Sequence, residues 1–232
     1  MALTTPQKRY SVAVLLFNGV DVLDFAGPIE VFSHVSVNKN PDNPDRVYKI
    51  TTVGKTATIR AANSLTVSSD LLIEDASREL EQFDLLVVPG GPPSIIMPLL
   101  SPESPEMQLV RSFSKLAPRG PDNEPRIIFS VCTGAFFLGA AGLLGGLQVT
   151  THHRALEPLR QLCIEAGTEP ASIVEKRFVD SGVGKAGPVG VFMSGGISSG
   201  LDAVLHLVEK QTSRDMAEFI TRIMEYKWRG ED

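Results

Sequence analysis

Arg126-Ile127-Ile128-Phe129-Ser130-Val131-Cys132-Thr133-Gly134-Ala135-Phe136-Phe137-Leu138 decides how the rest of the chain is read. An apolar run stops at a cysteine, and a run of small and apolar residues follows at once. This is the pattern of a strand entering a sharp turn and then a helix. Such a turn projects its side chain from the C-terminal edge of a sheet, where open α/β folds bind ligands. Ser130, Cys132 and Gly134 give the small-x-nucleophile-x-Gly spacing of a nucleophile elbow, whose cramped backbone excludes bulk on either side. A helix N-terminus at Cys132 would favour thiolate over thiol and lower its pKa. The competing reading is a small buried core residue; the strand–turn–helix context favours a reactive thiol.

The 232 residues allow one large α/β domain with a substantial core. Net charge is −5 and no Lys/Arg block occurs, so the electrostatic footprint of a nucleic-acid binder is absent. The two cysteines, Cys132 and Cys163, make a poor disulfide framework, and no Cys/His cluster suggests zinc. Met1 to Tyr10 has no apolar signal region, and Gly134–Leu147 is too short to span a bilayer. A reducing, cytoplasmic location and no membrane association are therefore expected.

Outward from the elbow, strands and helices alternate. Ser11–Phe17 reads as a buried strand closed by Asn18-Gly19. A helix is predicted from about Val22 to Val35, with Asp21 and Asp24 spaced as a capping box and Pro28 kinking it. Polar loops are expected at 37–46 and 118–125. Val47–Val53 reads as a strand, Thr58–Val67 as a hairpin, Asp75–Glu81 as a short helix, and Asp84–Val88 as a buried strand before Pro89-Gly90-Gly91-Pro92. Ser104-Pro105 opens a helix. Leu147–Thr151, Ile173–Phe178 and Val189–Met193 read as strands. Helices are predicted over Ala155–Ala166, after Gly195-Gly196, and from Ser213. The alternation predicts a mainly parallel sheet with helices on both faces and no linker dividing it.

A thiolate needs an acid–base partner and a place for developing negative charge. Three candidates follow buried strands and so reach the same edge. Asp24 offers a carboxylate, Gly90-Gly91 offers backbone N–H groups, and His152-His153 offers imidazoles. Each has a structural alternative: a helix cap, a tight turn, and surface residues. His206, four residues after Asp202, reads as half of a helix-surface pair, and His34 as a surface residue. No phosphate-binding loop or dinucleotide fingerprint is present.

Five stretches together resemble the ThiJ/PfpI superfamily, the class I glutamine amidotransferase-like fold: Val22–Pro28, Val87–Gly91, Ser130–Ala135, Val149–His152 and Ser194–Asp202. The likeness runs from about Ser11 to Tyr226 and is greatest to isonitrile hydratases. That branch has Asp in the Leu-Asp-x-x-Gly-Pro stretch and Cys-Thr-Gly at the elbow, matched here by Asp24, Gly27, Pro28, Cys132 and Thr133. The resemblance implies a flavodoxin-like three-layer α/β/α sandwich, one domain over residues 8–228. It implies Cys132 as nucleophile, Asp24 as acid–base residue, and Thr133 as a hydrogen-bonding side chain. The N–H groups of Thr133 and Gly91, beside Gly90, would form an anion-binding notch. Ile197 would line the pocket, and His152 matches the superfamily's histidine after Thr-Thr. Relatives are homodimers without cofactor or metal, which implies the same here. The expected activity is hydration of an isonitrile to an N-substituted formamide. The alternatives are a cofactor-free glyoxalase or hydrolase, and a cysteine redox sensor or small-molecule binding module. Regulators that fuse this domain to a helix-turn-helix region are disfavoured by the chain's end at Asp232. Loops 37–46 and 118–125 are longer than those of bacterial hydratases and are expected to reshape the pocket rim or a dimer contact.

Overall fold

The computed structural model describes residues 8–119 and 123–230. The elements are β1 (Tyr10–Leu16), α1 (Val22–His34), β2 (Tyr48–Gly54), β3 (Thr58–Ala61), β4 (Leu65–Ser68), β5 (Leu71–Leu72), α2 (Ile73–Arg78), β6 (Leu85–Val88), α3 (Pro93–Leu99), α4 (Pro105–Phe113), β7 (Ile127–Val131), α5 (Ala135–Ala140), β8 (Gln148–Val149), α6 (Leu156–Glu165), β9 (Ser172–Ile173), β10 (Phe178–Val183), β11 (Gly190–Ser194), α7 (Ser199–Gln211) and α8 (Arg214–Ile223). Seven strands form the main sheet in the order β10-β11-β7-β6-β1-β2-β5. All its pairings are parallel except that of β10 with β11. The expected mainly parallel sheet is thus present, with one antiparallel edge.

The central strands β6 and β11 are buried at every position. That follows from helices on both faces, which turn a parallel strand into a continuous apolar run. On one face α1 packs on α7 and α7 on α8; on the other, α2 meets α4, α4 meets α5, and α5 meets α6. Phe129 and Phe192 meet edge to face between neighbouring strands, with ring centroids 5.5 Å apart. Among the described residues no helix is long and apolar enough to cross a membrane.

Several local signals act as expected. Ser104 accepts a hydrogen bond from the Met107 N–H, and Ser213 from the Met216 N–H, each capping its helix. The Thr58–Val67 stretch is the hairpin of β3 and β4, turning through Ala62 and Asn63 at positive φ. Other expectations are corrected. Leu147–Thr151 does not enter the main sheet: β8 pairs only with β9 in a separate two-stranded ribbon. Ile173–Phe178 is not one strand, because β9 ends at Ile173 and β10 begins at Phe178. The Asp75–Glu81 helix begins earlier, at Ile73, and a 3₁₀ turn follows it. Helix α3 arises where only a Gly/Pro turn was read, with Pro93 at its first position.

Asp202 and His206 are not a surface pair. Asp202 is fully buried, accepts from Arg177 Nε at 2.7 Å and Tyr226 Oη at 3.0 Å, and anchors the C-terminal stretch. His206 instead lies 3.5 Å from Glu209 and stacks on Phe192. Helical spacing could not separate these arrangements, because the partners come from distant segments.

The two long polar loops are also corrected. Loop 37–46 leads into the start of β2, and loop 118–125 leads into the start of β7. Both therefore lie at the N-terminal edge of the parallel strands, opposite the pocket rim, which removes the rim alternative and leaves the dimer contact as the expectation for them. Residues 120–122 of the second loop lie outside the described residues. The first loop is closed by a Ser36–Arg46 bridge and borders a cavity of about 580 Å³ beside α1 and α8.

Candidate active site

The turns after β1, β6, β7 and β11 converge at the opposite, C-terminal edge. β1 lies between β2 and β6, so the chain reverses its winding direction there, which opens a crevice at the strand ends. Cys132 stands directly after β7 with φ +57°, a left-handed conformation uncommon outside glycine. The surroundings hold it there. Its N–H donates to Gly195 O at 3.0 Å, and its carbonyl accepts from Thr151 Oγ1 at 2.7 Å. Gly134 is required by close approach, since a Cβ there would overlap the carbonyl oxygen of Val88. These features form the elbow that the Ser130-x-Cys132-x-Gly134 spacing predicts.

Asp24 sits in the first turn of α1 and has no exposed surface. Its Oδ2 accepts from the Gly90 N–H at 3.1 Å, while Oδ1 is buried with no hydrogen-bond partner among the described residues. Burial, and then the charge of Asp21, push its pKa up to about 7. The Gly90 N–H and the Cys132 thiol, both of which favour the carboxylate, oppose that rise. The Cys132 thiol is itself pushed up to about 12, first by burial and then by the Asp24 charge. This corrects the expectation of a depressed thiol pKa. The chain after Cys132 begins as a three-residue 3₁₀ turn, and its dipole is too short to outweigh desolvation and a facing carboxylate. The N–H groups of Thr133 and Ile197 point at the sulfur and pull its pKa the other way.

Thr133 Oγ1 donates to Gly91 O at 2.7 Å and accepts from the Gly91 N–H at 3.0 Å. The expected anion notch is therefore corrected in composition. The Gly91 N–H is occupied by the Thr133 hydroxyl and the Gly90 N–H by Asp24, so Thr133 and Ile197 supply the N–H groups at the sulfur. Ile197 adopts φ +40°, unusual for a β-branched residue, just ahead of α7. The helix expected from Gly195-Gly196 starts only at Ser199, which leaves this strained segment against Cys132.

A cavity of about 420 Å³ opens over these groups, lined by Asp21, Gly91, Cys132, Thr133, His152 and Ile197 among others. His152 reaches it from the β8–β9 ribbon rather than the main sheet. Its Nδ1 accepts from the Arg154 N–H at 3.2 Å, which leaves the neutral ring's proton on Nε2. Burial and the neighbouring His153 and Arg154 lower its pKa. His153 lies against His152, the rings tilted with centroids 4.2 Å apart, and borders an adjoining cavity of about 560 Å³ that shares the His152 and Ile197 walls.

Asp21 is the residue the sequence reading missed. It is the N-cap of α1, but its side chain makes no capping bond, so the expected Asp21/Asp24 capping box does not form. Its carboxylate lies on the cavity wall instead. The ligand atoms of Asp21, Asp24 and Cys132 all lie within 4.8 Å of one another. They are the one such trio among the described residues that could meet on a metal ion. The set fits a resident ion poorly, because burial raises the proton affinity of both Asp24 and Cys132, which would have to give up their protons to ligate. It is better described as a proton-sharing cluster.

Fold and cluster together define an α/β protein that presents a buried thiol–carboxyl pair at a strand–turn–helix junction. The chain belongs to the DJ-1/PfpI family, whose model matches residues 10–185. It is 30% identical over 216 residues, 93% of this chain and 78% of the relative, to an isonitrile hydratase of Pseudomonas putida. An uncharacterized protein of Streptomyces lividans, from the cpoL 5' region, is 35% identical over 158 residues, 66% of this chain and 95% of that one. Among solved structures, a ThiJ/PfpI family protein from Pseudomonas syringae superposes with a TM-score of 0.73 at 22% identity, covering 99% of this chain and 83% of that one. Schizosaccharomyces pombe DJ-1 superposes with a TM-score of 0.66 at 18% identity, covering 94% and 100%. These two likenesses concern the fold.

Proposed function

We propose that the chain is a cysteine-dependent isonitrile hydratase, converting R–N≡C and water to R–NH–CHO. The observation that carries the reading is the Cys132–Asp24 pair: a thiol against a fully buried carboxyl with one oxygen unpartnered among the described residues. The P. putida relative supports the choice of substrate class. The terminal carbon of an isonitrile takes both a proton and a nucleophile, which such a pair holds side by side.

Above about pH 7 the pair holds one proton, since Asp24 is pushed up to about 7 and Cys132 to about 12. With that proton on Asp24, the Cys132 thiolate attacks the terminal carbon while Asp24 protonates it. One S–C and one C–H bond form, giving the thioimidate R–N=CH–S–Cys132. Asp24, now a carboxylate, takes a proton from water as its oxygen adds to the same carbon, and passes that proton to nitrogen. Collapse of the adduct breaks the S–C bond, releases the formamide, and returns the hydroxyl proton to the pair through Asp24. One carboxyl thus serves as acid and then as base, a role that suits a pKa near the operating pH. The N–H groups of Thr133 and Ile197 stabilise the thiolate before attack and as it leaves. Thr133 ties the Gly91 turn to the elbow, Gly90 holds Asp24, and His152 forms the cavity wall. The reading includes a cytoplasmic homodimer, checked by its mass in solution.

The test is incubation with cyclohexyl isonitrile, following N-cyclohexylformamide by chromatography. Formamide formation that disappears in Cys132→Ala and Asp24→Asn supports the reading. An inert wild type, or a Cys132→Ala variant with undiminished rate, rejects it.

A further inference from the structure

Asp21 is an acid in an N-cap position that does no capping. Its backbone N–H is held by Gly90 O at 2.9 Å and its carbonyl by the Asp24 N–H at 3.2 Å. The residue is therefore fixed to both the β6 turn and the acid it neighbours. Its carboxylate is half-buried on the cavity wall, and Asp24 lies behind it with no exposed surface. We propose that Asp21 is a positioning residue for the proton of the Cys132–Asp24 pair, biasing it from the sulfur to the Asp24 carboxyl and so raising the thiolate population. This deepens the proposed function, because the thiolate with a protonated Asp24 is the form that attacks.

The bias is differential. A nearby negative charge holds a proton on any acid, and Asp21 lies within reach of both, its ligand atoms within 4.8 Å of those of Asp24 and Cys132; at Asp24 its charge follows burial directly, while at Cys132 it comes after burial, Asp24 and the N–H groups of Thr133 and Ile197. The groups facing Asp21 are Asp24, Cys132 and His152, with Arg154 on the same cavity wall. A protonated His152 would offset the Asp21 charge. Its lowered pKa keeps the ring neutral at pH 7, so it does not offset the Asp21 charge.

The consequence runs against simple electrostatics. Removing a negative charge beside a thiol ordinarily speeds its alkylation, because the thiolate becomes easier to form. Here Asp21→Asn is expected to slow iodoacetamide alkylation of Cys132 at pH 7.5, on the order of three- to tenfold, as the shared proton returns to sulfur. The lower limb of the pH–alkylation profile moves to lower pH in the same variant. Asp21→Glu, which keeps the charge, restores both rate and limb. Thermal melts and the unchanged alkylation of Cys163 under denaturant confirm that each variant is folded and intact. Faster or unchanged alkylation in Asp21→Asn overturns the inference, as does failure of Asp21→Glu to differ from it. Alkylation requires no isonitrile. Slowed alkylation with no formamide from wild type would sustain this inference while rejecting the hydratase reading; formamide with faster alkylation would do the reverse.

Discussion

The two edges of the central sheet are made by the same strands and treat charge in opposite ways. At the N-terminal edge, Asp84 accepts from the Ser11 N–H at 2.8 Å and lies 3.3 Å from Arg119, and Lys8 pairs with Glu124. The buried Arg126 gives its guanidinium to the carbonyls of Ala117 and Phe83. At the C-terminal edge, Asp24 is more deeply buried than any of these acids and has no ion-pair partner among the described residues; the charge that acts on it is that of Asp21, another acid. A buried carboxylate without a partner is destabilising, and it persists where the elevated proton affinity is put to use. Cys132 and Ile197 add backbone strain at the same edge. The comparison separates a structural edge from a chemical one.

Removing the thiol gives the largest effect. Cys132→Ala is expected to lower formamide formation roughly a thousandfold or more, as loss of a covalent nucleophile does, while the melting temperature stays near that of wild type. A variant retaining a tenth of the activity would move the chemistry away from the elbow.

Asp24→Asn should separate function from stability. Activity falls by about a hundredfold or more, the usual scale of a lost general acid–base group. Stability moves the other way. The folded Asp24 pKa, about 7, lies above the ordinary value of 3.8. The native state therefore keeps a proton that the unfolded chain releases between those values. This contribution is full below pH 3.8 and is lost as pH rises through 7. At about 1.4 kcal/mol per pH unit the loss is of order 4 kcal/mol across the window. Denaturant melts at pH 4.5 and 7.5 should show it in wild type and not in Asp24→Asn, which is the more stable of the two at pH 7.5. Parallel curves would mean that Asp24 is not held above its ordinary range.

Thr133→Val probes the tie between the two turns. The hydroxyl holds both the N–H and the carbonyl of Gly91, and its loss leaves a buried N–H unpaired at a cost of about 1–3 kcal/mol. Rate and melting temperature should both fall, the rate by roughly two- to tenfold if half of that cost appears in the transition state. An unchanged rate would reduce Thr133 to a residue that only stabilises the loop.

This contrast between edges was half legible in the chain. The elbow could be read because one continuous stretch carries it: a β-rich run, a cysteine, and a glycine where a Cβ cannot fit. Asp24 and Gly90 could be placed because each lies in the segment that leaves the C-terminal end of a buried strand. Asp21 could not, because its spacing from Asp24 is that of a cap, and only the folded geometry shows the side chain turned from the helix to the cavity. The donors at the sulfur were half-assigned for a similar reason: whether the Gly91 N–H is free depends on the rotamer of Thr133, which comes from another strand. The pKa of Cys132 was read with the wrong sign because a local rule about helix termini cannot register burial and a facing carboxylate, both of which are long-range. His152 was placed at the correct edge for the wrong reason, since β8 belongs to a separate ribbon.

The smallest effect is expected at the opposite edge. Loop 37–46 is largely self-contained: Asn38 donates its backbone N–H to Asp45 Oδ1 and its side-chain amide to Asn43 O, and the Ser36–Arg46 bridge closes its base. Its clearest outward contact is Lys39 over the Phe219 ring, 5.0 Å from the centroid, worth about 0.5–1 kcal/mol at an exposed site. Excising residues 38–44 and joining the ends with two glycines should lower stability by about that contact energy. Shortening a closed surface loop costs little chain entropy and can recover some. The formamide rate should stay within about twofold of wild type, because the loop leads into the start of β2 while the Cys132–Asp24 pair lies at the strands' far ends. If the excision instead lowers the rate tenfold with stability intact, the loop acts on the thiol site from across the sheet. The division between a structural edge and a chemical one would then fail.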